Sequence, residues 1–326
     1  MPISYANYSD RSDRSDRSDR SDRSGGEIGN IRYSPLYADA RISSREGVIG
    51  AAETVPKYTL SPAGAGRSVF KNDPIVRANI FDFEMSTGLT VSDTHGEEGF
   101  QVSVAFHEIQ VAQDESQDAQ YTEVWKEDFA RPNEVDLRAA SELGKVLGYA
   151  MLRSERLSEI TTQANDVITS FEMVTNLGFE RHRCTFELLS FVKDFSSRVH
   201  FPVKHRLGIP RPADIDPRVQ PMLPHPGHDS CPSGHATEAR VTAEVLHALL
   251  LASPLDRELV KQSYTQIDRH AKRIAENRVV AGLHFPIDNA YGDRLGRCLA
   301  GHFHRRLTGG NDVLQQLWEA ALSEWQ

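Results

Sequence analysis

The sequence predicts a mainly α-helical fold: a helical bundle with an N-terminal irregular or small β-containing region. Three observations predict it. From Asn133 onward, apolar residues recur at helical spacing. Between about residues 31 and 132, glycine and proline interrupt short runs of β-branched and aromatic residues. From Ser9 to Ser24, a Ser-Asp-Arg repeat carries no apolar residue.

The elements follow in order. The repeat alternates opposite charges and has nothing to bury, so residues 1–30 are expected to form a disordered tail, closed by Gly25 and Gly26. Residues 31–132 are expected to form an arm or small mixed region. Within it Gln101 to Val111 alternates, with Val102, Val104 and Phe106 on one face, as a half-buried strand does; Ile75 to Phe83 is a second expected strand. Residues 133–326 are expected to form a helical catalytic domain of about six to eight helices. Helices are predicted over Glu134 to Arg156, Leu157 to Leu177, Thr185 to His200, Ser233 to Ala252, Leu255 to Arg278, Ile287 to Arg306 and Asp312 to Trp325. The clearest pattern is in the fourth, where Val241, Val245, Leu246, Leu249 and Leu250 make one broad apolar face.

Composition narrows the function. The chain has 326 residues, 39% of them hydrophobic, enough for a sizeable core. Lysine and arginine number 37 against 46 aspartates and glutamates, a net charge of −9, which argues against a nucleic-acid binder. The longest apolar stretch, around Leu249 to Ala252, is far short of the ~20 residues that span a bilayer, so the chain is not expected to be membrane-integral. Three scattered cysteines exclude a disulfide scaffold, and no export signal is read at the N-terminus. The expectation is a soluble, cytoplasmic protein acting on a small-molecule substrate, with homo-oligomerisation left open.

Eleven of the 13 histidines lie at or after position 182, and three stretches account for the key ones. In Lys204 to Pro212, Lys204 and Arg211 can converge if the chain turns between them, one as a point charge and the other as a planar fork. In Pro232-Ser233-Gly234-His235, Ser233 is a good N-cap and Gly234 permits close approach, so the helix start forms an anion site with His235 at its mouth as a proton donor. In Arg278 to Asp288, Arg278 adds a third cation and His284 precedes Pro286, a favoured first helical residue. Asp288 can then fix the His284 tautomer, leaving the other ring nitrogen as a nucleophile or oxyanion ligand. The set suits a tetrahedral or trigonal-bipyramidal oxyanion such as phosphate or vanadate. His225, His228 and Cys231, with His235 beyond, offer a zinc alternative, but their spacing is not that of a standard finger. Gly64 and Gly66, between Lys57 and Arg67, lack the strand–glycine–helix context of a nucleotide loop. His182, His200, His247, His270, His302 and His304 read as surface or packed side chains.

Taken together, K-x6-R-P, P-S-G-H and R-x5-H-x3-D resemble the superfamily of type-2 phosphatidic acid phosphatases and vanadium-dependent haloperoxidases. The resemblance covers about residues 180–300, and Asn277 stands where the superfamily usually has serine before the third-motif arginine. It implies a helical bundle in which Lys204, Arg211, Ser233, Gly234 and Arg278 hold the oxyanion. His284 would be the vanadate ligand or the phosphorylated residue, His235 the acid–base group, and Asp288 the group that orients His284. His228 lies seven residues before His235, where bromide-oxidising members are similar in carrying a second histidine; His-Phe-Pro-Ile-Asp looks more like the phosphatase branch. The leading expectation is a haloperoxidase-like enzyme that oxidises halide with hydrogen peroxide on a vanadate cofactor. The alternative is a soluble phosphatase working through a phosphohistidine at His284, with no cofactor. A third reading, from another class, is an inactive anion-binding module.

Overall fold

The computed structural model describes residues 70, 74–96, 99–110, 120–308 and 312–326. The Ser-Asp-Arg tail and the Lys57 to Arg67 glycines lie outside them. Everything described below belongs to one compact unit, Ser68–Gln326. It is mainly α-helical with one small antiparallel sheet.

Helix α1 spans Pro74–Ser86 and leads into strands β1 (Leu89–Gly96), β2 (Gly99–Gln110) and β3 (Gln120–Ala130), paired in that order. The expected strand over Ile75 to Phe83 is therefore a helix. Pro74 suits a first helical turn, and Phe81 and Met85, four apart, are both buried. Phe81 meets Phe191 at 5.3 Å between ring centroids, so the packing is that of a helix face. The alternating strand is β2, but both its faces are covered: Ser103 and Ala105 are buried as well as Val102, Val104 and Phe106. The Phe106 ring lies 4.2 Å from that of His302, which ties the sheet to the helices.

The predicted helix over Glu134 to Arg156 is broken into α2 (Glu134–Arg138), α3 (Leu143–Tyr149) and a 3-10 turn, Ala150–Leu152. Helix α4 runs Arg153–Asn165 and stops where Asp166 turns its carboxylate onto the Thr169 amide at 3.0 Å, so the predicted Leu157 to Leu177 helix also ends early. Helix α5 is longer than expected, Arg183–Leu207. An interior proline costs about 3 kcal/mol, yet α5 continues through Pro202 because Val203 and Leu207 are fully buried beyond it. Gly208 closes the helix at φ +57°, its amide bonded to the Lys204 carbonyl at 2.9 Å. Lys204 thus sits in a helix's last turn rather than in the loop.

A short helix α6 (Pro212–Ile215) precedes α7 (Gly234–Ala252), α8 (Arg257–Val280), α9 (Pro286–Thr308) and α10 (Asp312–Leu322). Helix α7 is the central one, touching α5, α8 and α9. It meets α9 almost backbone to backbone. A Cβ at Gly292 would fall 2.6 Å from the Ser233 carbonyl oxygen, and one at Gly296 would fall 2.7 Å from that of Thr237. No helix among the described residues is long and apolar enough to cross a membrane.

Candidate active site

The three motifs meet where α5 ends and α7 and α9 begin. Lys204 and Arg211 come from the end of α5 and the turn after it, Ser233, Gly234 and His235 from the start of α7, and Arg278 from the last turn of α8. His284 and Asp288 flank the start of α9. Lys204, Arg211, Arg278, His284 and Asp288 are all buried, and His228 and His235 are half-buried.

His284 and Asp288 form the inner pair. His284 Nδ1 lies 3.1 Å from Asp288 Oδ2. That oxygen also accepts the Phe285 amide at 2.9 Å and the Ser230 hydroxyl at 2.5 Å. The carboxylate thus places the imidazole proton on Nδ1 and leaves the Nε2 lone pair directed inward, 3.4 Å from an Arg211 guanidinium nitrogen. Burial, with the Arg211 and Lys204 charges close by, holds His284 well below the usual histidine range, so its ring is neutral. Burial raises Asp288 above the usual carboxylate range, against its hydrogen bonds. The start of α9 is further fixed by Glu142, whose carboxylate accepts the Ile287 amide at 2.9 Å. The break between α2 and α3 puts Glu142 there.

The cations differ in what they still offer. Lys204 Nζ donates to the carbonyls of Ser230 (2.8 Å), Asp229 (3.4 Å) and Pro232, so it clamps the segment before α7 and gives the site charge rather than a spare donor. Burial, then Arg211, pushes its amine down to about 7. Arg211 donates to the carbonyls of His228 (3.0 Å) and Leu283 (2.8 Å) and faces His228 Nδ1 at 3.2 Å. Burial and the two cations bring His228 down to about 3, so it is a neutral acceptor. His225, the first member of the zinc alternative, instead faces Asp214 at 3.2 Å. Arg278 spends one nitrogen on the Ile160 carbonyl at 3.0 Å. Its Nε and Nη1 are buried with no hydrogen-bond partner among the described residues. Two unmatched guanidinium nitrogens inside a protein are costly unless an anion meets their N–H groups.

Helix α7 supplies the rest. Ser233 caps it, its hydroxyl accepting the Ala236 amide at 3.4 Å and its own amide donating to the Asp288 carbonyl at 2.9 Å. The amides of Gly234 and His235 then have no partner within the helix, as in any first turn, and form an anion-binding end. His235 donates to the Ala164 carbonyl in the last turn of α4; burial and Arg278 bring it down to about 4. The negative end of α4 therefore faces both His235 and Arg278.

Lys204, Arg211, His228, Ser233, Gly234, His235, Arg278, His284 and Asp288 are brought together here. Ser230 was missed, although it lies inside the His228 to Cys231 run and bonds both inner residues. Glu238 was missed too, and His200, read as a surface or packed side chain, is packed. Glu238, three residues after His235, is buried beside His200 and would have stood out only as an acid on an apolar helix.

No family model matches this chain, and no curated protein matches it. Among solved structures, the chain is similar to that of the first transmembrane PAP2 type phosphatidylglycerolphosphate phosphatase from Bacillus subtilis. The identity is 21% and the TM-score 0.32, over 49% of this chain and 73% of that one. A likeness this slight bears on neither the fold nor the chemistry, which stand on the geometry above.

Proposed function

We propose that the chain is a phosphohydrolase of the superfamily its three motifs resemble, acting on phosphomonoesters through a phosphohistidine at His284. One observation carries this reading: the neutral His284 has Nδ1 on Asp288 and its Nε2 lone pair turned toward the Arg211 guanidinium among buried cations. That is a complete nucleophile with its orienting group. His284 Nε2 attacks phosphorus and the P–O bond to the alcohol breaks. Arg278, Arg211, Lys204 and the first turn of α7 offset the charge on the phosphoryl oxygens. His235 gives its proton to the departing oxygen, then takes one from the water that cleaves the phosphohistidine. Asp288 stabilises the imidazolium in between. No cofactor is required.

A second reading has its own support. His228, half-buried at 3.2 Å from Arg211, suits the histidine found near the oxyanion in bromide-oxidising members. The unmatched Arg278 donors fit vanadate as well as phosphate. Bound vanadate would supply activation of hydrogen peroxide for halide oxidation, with Arg211, Arg278 and the α7 turn holding its oxygens and Lys204 adding positive charge. This is placed second because the His284–Asp288 pair already suffices for hydrolysis.

A paired assay on one metal-free preparation separates the readings. Aryl phosphate turnover that vanadate inhibits and His284→Ala abolishes, with no halogenation, is the expected result. Halogenation of a dye that requires orthovanadate, peroxide and bromide, with little ester cleavage, would reverse the order. Full activity in both His284→Ala and His235→Ala would overturn the site.

A further inference from the structure

Behind the anion site lies a buried acid that the mechanism above does not use. Helix α5 presents Lys193, Ser197, His200 and Lys204 at intervals of four, three and four residues, along one side. Lys193 and His200 are buried with Lys204. Facing them on α7 is Glu238, 6% exposed. The Ser197 hydroxyl donates to Glu238 Oε1 at 3.1 Å, and His200 Nε2 is 3.5 Å from the same oxygen. A Cβ at Gly234 would touch the His200 ring at 3.1 Å, so this cluster packs directly against the first turn of α7. A carboxylate in such a place is expensive to keep ionised. His235 is three residues earlier on the same helix, a neighbouring position on its surface.

We infer that Glu238 is a positioning residue for His235: held by the Ser197 hydroxyl with the His200 ring close by, its carboxylate keeps a proton on His235 for the leaving oxygen. The inference rests on the phosphohydrolase reading. The groups facing His235 divide by sign. Arg278 from α8 and Lys193 from α5 drive its proton off, and His284 adds positive charge whenever it is protonated. Glu238 and the Ala164 carbonyl of α4 hold the proton on. Burial would lift the Glu238 carboxyl, but His200, His235 and Lys193 outweigh it and hold it below the usual range, so the counter-charge is present. His284, with Asp288 engaged on its other face, is driven well below its usual range, whereas His235 falls only to about 4. Two histidines set apart in this way are an acid and a nucleophile. A phosphate dianion entering the site shifts His235 further toward its protonated form.

The test is an NMR titration of the His235 imidazole in the full chain with inorganic phosphate, comparing wild type with Glu238→Gln, Glu238→Asp and Ser197→Ala. The midpoint should fall in Glu238→Gln, fall less in Ser197→Ala, and return toward wild type in Glu238→Asp. With aryl phosphate, the alkaline limb of kcat in Glu238→Gln should move to lower pH. At pH about 7 kcat should drop about tenfold or more while KM stays within about twofold. An unchanged His235 midpoint in folded Glu238→Gln overturns the inference. So does an equal loss of kcat, phosphate binding and Tm in both Glu238 variants, which marks a structural acid only. If the wild type hydrolyses no phosphoester, the phosphohydrolase reading fails, and the NMR midpoints still decide the role of Glu238.

Discussion

The Ser230 hydroxyl donates to Asp288 Oδ2 at 2.5 Å, the oxygen that also receives His284 Nδ1. The inner pair is therefore a trio, with the serine hydroxyl and the Phe285 amide on the same carboxylate oxygen.

Removing that hydroxyl tests its share. In Ser230→Ala, Asp288 keeps the Phe285 amide but loses a short hydrogen bond to its ionised form, so its orientation of His284 weakens. The expected loss in kcat is about tenfold, the size of one hydrogen bond to a charged group, with phosphate affinity nearly unchanged. Steady-state kinetics with phosphate as competitor measure both. An unchanged kcat would remove Ser230 from the site.

Arg278 should trade stability against binding. With Nε and Nη1 buried and unmatched, it costs the ligand-free fold energy that only an anion returns. Arg278→Met keeps the length and removes the charge. Its melting temperature without phosphate should equal or exceed that of wild type, since a buried charge with two unmatched nitrogens is removed. Phosphate affinity should fall about 100-fold, and phosphate should no longer raise the melting temperature. Thermal melts with and without phosphate read both effects; a variant that melts lower yet binds phosphate normally contradicts the assignment.

Lys204 gives a pH dependence whose sign can be worked out. Its amine drops from 10.5 in the unfolded chain to about 7 in the folded protein, through burial first and Arg211 second. Across that window the unfolded chain holds a proton that the folded chain has released. Below about 7 the full penalty of a buried charge is present, and stability rises with pH from there toward 10.5. Oxyanion affinity runs the other way, because the positive charge fades over the same range. Urea midpoints measured without phosphate should climb more steeply with pH in wild type than in Lys204→Met. Parallel slopes would contradict a depressed lysine.

Asn277 makes a structural prediction. Its amide donates to Glu159 Oε2 at 3.0 Å and Gln163 Oε1 at 2.8 Å, and its oxygen accepts from Arg156 at 3.3 Å. It thereby fastens α8 to α4 one residue before Arg278. Asn277→Ala should cost about 1–3 kcal/mol in urea unfolding, because buried partners on α4 are left unmatched. A loss below a few tenths would show that water replaces the side chain at no cost.

The site was more legible in the sequence than the scaffold. Lys204, Arg211, His235, Arg278, His284 and Asp288 are recognisable because each needs a particular chemical type at a fixed distance along the chain, and the structure brings them together. Helix limits obey weaker local rules. Pro202 marks a helix end by its own chemistry, and only the burial of Val203 and Leu207 carries α5 past it. In the same way, Ile75 to Phe83 reads as a strand until Phe81 finds Phe191. Ser230 and Glu238 escaped for a different reason. Ser230 bonds Asp288, and Glu238 is held by Ser197, each from another part of the chain, and no spacing announces those contacts.

The contact of α7 with α9 through Gly292 and Gly296 makes the acid and the nucleophile parts of a single rigid casting. The amide of Ser233, just before His235, is bonded to the carbonyl of Asp288, which anchors His284. The gap between the two histidines is gauged by main chain pressed on main chain, with no side chain in between to lengthen or shorten it. A substitution elsewhere can change the charge on either ring, but altering their separation requires rebuilding both helices. A lineage of such proteins could vary its substrates only through the walls around this fixed gauge.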